Sequence, residues 1–160
     1  MRPRILIAGV GNIFHGDDAF GSELARRLAL TPAPPGVRVI DFGIRGHDLA
    51  FTLQDDYDTV ILIDVARRNQ PPGTLSVLEI NPNSQEEETT IGGIETHAAH
   101  PMRVLSFLRA HQCKVPPIWL VACEPLSFGS EDGHIGLSAP VAAAIPAAET
   151  LVYSLLTRLV

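Results

Sequence analysis

Two adjacent carboxylates follow the first apolar run of the chain, and their position makes them candidates for metal or proton chemistry. The run ends at Gly9, and Asp17 and Asp18 come a few residues later, where a helical pattern begins. We predict that Asp17 is the N-cap of this helix, because an Asp there accepts hydrogen bonds from backbone N–H groups. Asp18 lies one residue further inside the helix, where it cannot cap well, so we expect it to point into a cleft.

The glycines of the same loop leave a second interpretation open, that of a Rossmann-like module that binds a nucleotide or a flavin. Gly9 and Gly11 match the first two glycines of the dinucleotide fingerprint, but Phe14 occupies the place of the third. Asp17 and Asp18 also put negative charge at the helix start, where a pyrophosphate would otherwise bind. The glycine pair favours nucleotide binding, and the acidic helix start disfavours it.

A third carboxylate, Asp64, ends a run of apolar, mostly β-branched residues. Burying a carboxylate without a partner is costly, so an Asp at the end of a buried strand predicts a functional role. Later in the chain, His97 and His100 stand three residues apart, just before a helical pattern that begins at Pro101. Two carboxylates and one imidazole would form a mixed oxygen and nitrogen site, which suits a divalent ion such as zinc or nickel.

Strands and helices alternate along the chain and position these residues. Short apolar runs predict strands, and apolar spacings of three and four residues predict helices. The predicted strands are residues 4–8, 37–42, 59–64, 74–80 and 118–123, and the predicted helices are residues 17–30, 48–54, 101–112 and a last one after Ser138. This alternation predicts an α/β fold: a three-layer α/β/α sandwich around a mostly parallel sheet of about five strands, in one domain over residues 1–160.

The parallel sheet explains how residues far apart in sequence could meet. In such folds ligands bind beyond the carboxyl ends of the strands, and a 2-1-3 strand order makes the first and third strands neighbours. We therefore expect the loop with Asp18 to lie beside Asp64. The second strand ends at Asp41 and Phe42 and is followed by Gly43 and Gly46, so this segment could form one wall of a substrate cleft.

Composition and charge exclude several classes of function. The 160 residues carry 12 Lys and Arg against 18 Asp and Glu, for a formal net charge of −6. An acidic chain without a basic stripe is a poor nucleic-acid binder. No apolar run reaches the length of a membrane span, and we expect no membrane partner. Cys113 and Cys123 lack metal-ligand spacing and suit a reducing compartment, so we expect a cytoplasmic protein.

The motifs in their order resemble those of the [NiFe]-hydrogenase maturation endopeptidases, over nearly the whole chain. The segment Gly9-x-Gly11-Asn12-x-x-x-x-Asp17-Asp18-x-x-Gly21 carries the resemblance most specifically. The other matching pieces are Asp64 with Pro72-Gly73-Thr74, Thr96-His97 before Pro101 and Val104-Leu105, Cys123-Glu124-Pro125, and Gly136-Leu137-Ser138 before a long last helix.

The resemblance implies an activity and a site. It implies a metal-dependent endopeptidase that removes the C-terminal extension of a [NiFe]-hydrogenase large-subunit precursor after nickel insertion. By motif position it implies that Asp18, Asp64 and His97 contact the metal, with Asp17 and His100 in support. The nickel would be supplied by the precursor, although zinc or cadmium could occupy the site in vitro. We expect the isolated protein to be a monomer.

The sequence favours a mechanism without a standing nucleophile. It contains neither the G-x-S-x-G elbow of serine hydrolases nor the H-E-x-x-H motif of zinc proteases. Neither cysteine has an identifiable neighbouring base. We expect the precursor's nickel to act as the recognition tag and as a Lewis acid at the scissile bond. Besides nucleotide binding, a third interpretation stays open, that of a hydrogenase-assembly chaperone without catalytic activity.

Overall fold

The computed structural model describes residues 1–80 and 101–160 of the chain. Its strands are β1 (Ile5–Val10), β2 (Val37–Gly43), β3 (Thr59–Val65), β4 (Leu75–Ile80) and β5 (Ile118–Cys123). Its helices are α1 (Phe20–Leu28), α2 (Gly46–Thr52), α3 (Pro101–Ala110) and α4 (Ala139–Leu159), and a 3-10 turn (Gly16–Ala19) precedes α1.

The five strands form one sheet in the order β2-β1-β3-β5-β4. The pairs β1–β2, β1–β3 and β3–β5 are parallel, and β4 at the edge runs antiparallel to β5. This order confirms the predicted mostly parallel sheet and the predicted neighbourhood of the first and third strands. It brings the carboxyl ends of β1, β2, β3 and β5 to the same edge, which we call the carboxyl edge of the sheet.

Each face of the sheet is covered by two helices, which confirms the predicted three layers. On one face, side chains of α1 and α4 such as Phe20 and Val152 pack with Ile7 and Ile63 of the sheet. On the other face, α2 and α3 pack against the alternate side chains of the same strands, Leu6 and Leu62 among them. Because β1 and residues 60–63 of β3 are buried on both faces, their sequences are continuously apolar rather than alternating.

Helix α4 follows the spacing expected from the sequence. Val141, Ile145, Ala148, Val152 and Leu155 are all buried in the core. Of the helices in the described ranges, α4 is the one long and apolar enough to cross a membrane by length and composition. In this fold its apolar stripe packs against α1 and β5.

Two glycines allow α1 to lie directly on the sheet. A Cβ added at Gly9 would collide with the carbonyl oxygen of Gly21, and a Cβ added at Gly21 would collide with the carbonyl oxygens of Val10 and Ile63. Any larger residue would push α1 and the turn before it away from β1 and β3. These glycines therefore set the position of the acidic loop relative to β3.

Candidate active site at the carboxyl edge of the sheet

Asp17 does not cap a helix, so that prediction is wrong. The chain first forms the 3-10 turn with His15 at its N-cap, then enters α1 with Ala19 at the N-cap, and neither helix start has a side-chain cap. Asp17 lies inside the turn and is fully buried. Its carboxylate bonds to distant parts of the chain instead of to the helix that it precedes.

Four hydrogen bonds converge on the Asp17 carboxylate. Oδ2 accepts the backbone N–H groups of Leu126 at 2.8 Å and Ser127 at 3.0 Å, and also the hydroxyl of Ser138 at 2.8 Å. Oδ1 accepts the backbone N–H of Ser138 at 2.7 Å. Ser138 is the N-cap residue of α4, as predicted, but its hydroxyl donates to Asp17 and caps no helix N–H. Asp17 thus joins the loop after β1 to the loop after β5 and to the start of α4.

This arrangement fixes the charge of Asp17. Burial by itself raises the pKa of the carboxyl, but the hydrogen bonds from Ser127, Ser138 and Leu126 outweigh it and hold the pKa below its ordinary value. A buried carboxylate with four donors is stable as an anion at neutral pH. Asp17 is therefore an anchor of the acidic loop, and its acceptor sites are already used.

Asp18 lies on the other side of the same loop and is half-buried. Its Oδ2 accepts the backbone N–H of Asn12 at 3.2 Å. The loop closes tightly here, because a Cβ at Gly11 would collide with the carbonyl oxygen of Asp18. Gly11 has a φ of 154°, so both its conformation and its contact with Asp18 favour glycine.

Asp64 stands near the end of β3 and is buried, with 2% of its surface exposed. Its Oδ1 accepts the backbone N–H of Val65 at 2.8 Å. Ile63 pairs with Gly9 of β1, and Asp64 pairs with Ala122 of β5. Asp64 is therefore one residue beyond the point where β3 pairs with β1, beside the strand that leads into the acidic loop.

Two of the three predicted metal-contacting residues, Asp18 and Asp64, lie within the described residues. Asp64 lies on β3, and Asp18 lies in the 3-10 turn that follows the neighbouring strand β1, as expected from the strand order. His97 and His100 lie outside the described residues. Among residues 1–80 and 101–160, no three His, Cys, Asp or Glu side chains gather closely enough to hold a metal ion. Asp18, Asp64 and His97 therefore stay predicted metal contacts.

Cys123 is not a nucleophile in this environment. It ends β5, is fully buried, and its thiol is not in a disulfide. Burial, together with the negative charges of Asp17 and Glu124, raises the pKa of the Cys123 thiol to about 12. A thiol with this pKa stays protonated at neutral pH. Because only the thiolate attacks a carbonyl carbon, the Cys123 thiol is inert there.

Glu124 has a structural role that the sequence analysis missed. Its buried carboxylate accepts the backbone N–H of Arg68 at 2.7 Å, which holds the loop after β3. Its own N–H donates to the carbonyl of Thr74, and its carbonyl accepts the N–H of Gly73. Glu124 thereby ties the segment beyond Asp64 to the end of β5. The sequence signal for this role was a charged residue directly after a buried strand.

A cleft of about 320 Å³ opens beside this site, between the loop after β1 and the turn from β2 to α2. Asn12, whose N–H binds Asp18, lines one side, and Asp41, Phe42 and Gly43 line the other. The segment after β2 therefore forms a cleft wall, as the sequence suggested. Gly43 has a φ of 55°, which permits the turn.

The glycines of the loop are used for packing within the protein. The positions where side chains of Gly9 and Gly11 would stand are filled by the backbone of Gly21 and Asp18. In a dinucleotide site the second glycine gives the pyrophosphate close access to the backbone. Here protein atoms occupy that place at Gly11, which disfavours the nucleotide interpretation.

Comparisons with known proteins agree with one another. Residues 20–155 match the family model of hydrogenase maturation proteases (HycI). The hydrogenase expression/formation protein HupD of Rhizobium leguminosarum bv. viciae is 30% identical over 150 residues, which are 91% of this chain and 70% of that protein. The hydrogenase maturating endopeptidase HybD from E. coli superimposes with a TM-score of 0.75 at 28% identity, over 99% of this chain and 93% of that one.

A crystal structure of a hydrogenase 2 maturation peptidase from a Thaumarchaeota archaeon has a TM-score of 0.73 at 31% identity and covers 96% of this chain and 98% of that one. The family match spans most of the chain, including β3 with Asp64 and all of α1. The family model, the curated relative and the solved structures thus point to the same assignment. The chain belongs to the hydrogenase maturation protease family.

Proposed function

We propose that this protein removes the C-terminal extension of a [NiFe]-hydrogenase large-subunit precursor after nickel insertion, and that it recognises the nickel already seated in the precursor. Asp18, Asp64 and His97 are the residues that we assign to nickel contact. In this proposal the metal is part of the substrate. The protease contributes the side chains that bind the nickel when the precursor carries it.

The observation that carries the proposal is the position of Asp64 near the end of β3, next to β1, because the loop that follows β1 carries Asp18 in its 3-10 turn. Carboxylate oxygens bind divalent metals, and an imidazole added to them gives a donor set suited to nickel or zinc. Because these three side chains do not fill the coordination sphere of such an ion, it would keep coordination positions for the precursor's own ligands. A site of this kind is suited to contacting a metal that another protein holds. It is less suited to storing a metal of its own.

The state of Cys123 supports a reaction without a protein nucleophile. Its thiol has a pKa raised to about 12 and is fully buried, so it cannot attack a peptide carbonyl. In our proposal the precursor's nickel polarises the scissile carbonyl as a Lewis acid, and water is the attacking group. The protein's own work is to hold Asp18 and Asp64 against the metal and to position the scissile bond.

Zinc or cadmium could occupy the same donors in vitro, since both accept oxygen and nitrogen ligands. We expect the reaction to take place in the cytoplasm, where free thiols such as Cys113 and Cys123 stay reduced. We also expect the isolated protein to be a monomer, which size-exclusion chromatography with light scattering would test.

The test is a processing assay with two forms of one precursor, nickel-loaded and nickel-free, each purified and mixed with the protease. We expect the loaded form to lose its extension and the nickel-free form to stay intact. Mass spectrometry of the released peptide reports cleavage directly. Equal cleavage of both forms would refute nickel recognition. Binding without any released peptide would instead identify a chaperone without catalytic activity.

A further inference from the structure

The cleft beside Asp18 has a polar and an apolar side. Its lining includes Arg26 and Arg45 with the carboxylate of Asp41, and also the large apolar side chains Phe14 and Ile44. Phe14 is 57% exposed and Ile44 is 61% exposed. The two guanidinium groups each pair with a carboxylate, Arg26 with Asp41 and Arg45 with Asp48, so the charges of the cleft are paired in the free protein.

The two arginines of the cleft play different roles. Arg45 donates through Nη2 to the carbonyl of Asp41 at 2.6 Å and through Nε to the carbonyl of Phe42 at 3.2 Å. Its Nη1 pairs with Asp48 at 3.2 Å. All three nitrogens of Arg45 are therefore engaged in holding the turn after β2, which makes Arg45 a support of the cleft wall.

Within residues 1–80 and 101–160, Arg26 is held through Nε. Its Nε donates to Oδ2 of Asp41 at 2.9 Å, while Oδ1 of Asp41 accepts the N–H of Gly43 at 3.0 Å. The Arg26 side chain is 58% exposed. Because this ion pair uses Nε, the two terminal nitrogens are the donors that a ligand in the cleft would meet. They lie side by side and suit a carboxylate, which can accept both.

The cleft adjoins the loop that carries Asp18. Asn12 lines the cleft and donates its N–H to Asp18, and Gly11 lines it and contacts the backbone of Asp18. If the precursor's nickel lies against Asp18, the precursor residues next to that nickel would lie along this cleft. The cleft is therefore where the residues adjoining the metal would be bound.

We propose that this cleft binds the precursor's C-terminal segment, with Arg26 taking a carboxylate of that segment and Phe14 and Ile44 contacting an apolar side chain beside it. The inference rests on the proposed function and adds a specificity determinant to it. It assigns Arg26 to substrate binding, and the chemical class of its ligand is an acidic, partly apolar peptide segment.

The test compares Arg26→Gln with Arg27→Gln in the processing assay on nickel-loaded precursor. Arg27 is the matched control, because it is the next residue of α1, is similarly exposed, and pairs with Glu149 of α4 outside the cleft. We expect Arg26→Gln to raise KM about tenfold with kcat within about twofold of the wild type, as for a lost binding contact. Arg26→Lys should recover part of the loss, and Arg27→Gln should match the wild type.

A second arm uses a precursor in which the acidic side chains of the C-terminal segment are replaced by their amides. If Arg26 binds one of them, the neutralised precursor and Arg26→Gln should each raise KM, and together they should raise it no further. Equal KM values for Arg26→Gln and Arg27→Gln, or fully additive effects, would overturn the inference. Failure of the wild-type protein to cleave nickel-loaded precursor would instead refute the proposed function, so the two failures are distinguishable.

Discussion

The loop after β1 has two sides that are built differently. On its buried side, Asp17 accepts four hydrogen bonds that fasten the loop to residues 126–127 and to Ser138. On its other side, Asp18 is half-buried and accepts the N–H of Asn12, which lines a cleft with the partly exposed ion pair Arg26–Asp41. Two consecutive carboxylates thus have separate tasks. The first holds the loop in place, and in our proposal the second, with Asp64, contacts the nickel.

This difference explains how the loop after β1 can be held rigidly while the cleft beside it stays open to a ligand. Exposed ion pairs such as Arg26–Asp41 contribute little to stability, typically under about 1 kcal/mol, and can exchange partners when a substrate arrives. A buried carboxylate with four donors cannot exchange its partners without leaving several polar groups unsatisfied. Stability and recognition are therefore assigned to opposite sides of the loop.

The largest effect should come from removing both proposed nickel donors. We expect the Asp18→Asn, Asp64→Asn double variant to process nickel-loaded precursor at least about 10³-fold more slowly, since a single preorganised electrostatic contact is worth about 10²–10³-fold. Single-turnover assays measure this rate. Thermal unfolding of the variant serves as the control for folding. Processing within tenfold of the wild-type rate would remove both residues from the site.

For Asp17→Asn we expect the main effect on folding stability, whereas the double variant should mainly lose processing rate. An amide can accept at one position only, and its NH₂ group would face N–H donors, so we expect a loss of about 2–3 kcal/mol in the free energy of unfolding. Urea denaturation at pH 7 measures it. Asp48→Asn, which alters an exposed ion pair with Arg45, is the matched control and should change stability by less than about 1 kcal/mol. Similar effects at the two positions would contradict the anchor role.

The pH dependence of stability sharpens the same comparison. Because the pKa of Asp17 is lower in the folded protein than in the unfolded chain, its contribution is fully present above the ordinary carboxyl pKa. It is lost as the pH falls through the lowered value. We expect the stability difference between the wild type and Asp17→Asn to be constant from about pH 7 to 5 and to shrink below about pH 4. A difference that grows on acidification would have the wrong sign.

The smallest effect is expected at Cys123. Cys123→Ala removes one buried sulfur atom and should cost about 1 kcal/mol of stability through the small cavity that it leaves. Because its thiol pKa is raised to about 12, the variant should retain full processing activity. The same assay, with iodoacetamide-treated wild type as a parallel sample, measures it. Loss of cleavage in a folded Cys123→Ala variant would show that the Cys123 thiol is the nucleophile after all.

Much of the fold follows from the sequence alone because its signals are local. Apolar runs give β1 and β3, and the spacing of Val141, Ala148 and Val152 gives the buried stripe of α4. These elements depend on the periodicity of neighbouring residues, which can be read directly. The neighbourhood of β1 and β3 follows from a general rule for parallel sheets, and it places Asp64 beside the strand that leads into the acidic loop.

The role of Asp17 could not be read in that way, because its donors are 109 to 121 residues away in the chain. A signal existed nevertheless. Asp17 precedes Phe20, Leu24 and Leu28 at spacings of three and four, which places it on the buried stripe of the helix rather than at its cap. The cleft around Arg26 was out of reach for a similar reason, since it depends on how α1 lies against the turn after β2.

The most direct test of the central claim is X-ray absorption at the nickel edge, recorded for the loaded precursor alone and in complex with the protease. We predict that the wild-type complex adds oxygen or nitrogen ligands to the nickel, and that the Asp18→Asn, Asp64→Asn complex adds none while still binding the precursor. Identical nickel spectra for the free precursor and the wild-type complex would show that these carboxylates do not contact the metal, and would contradict the account.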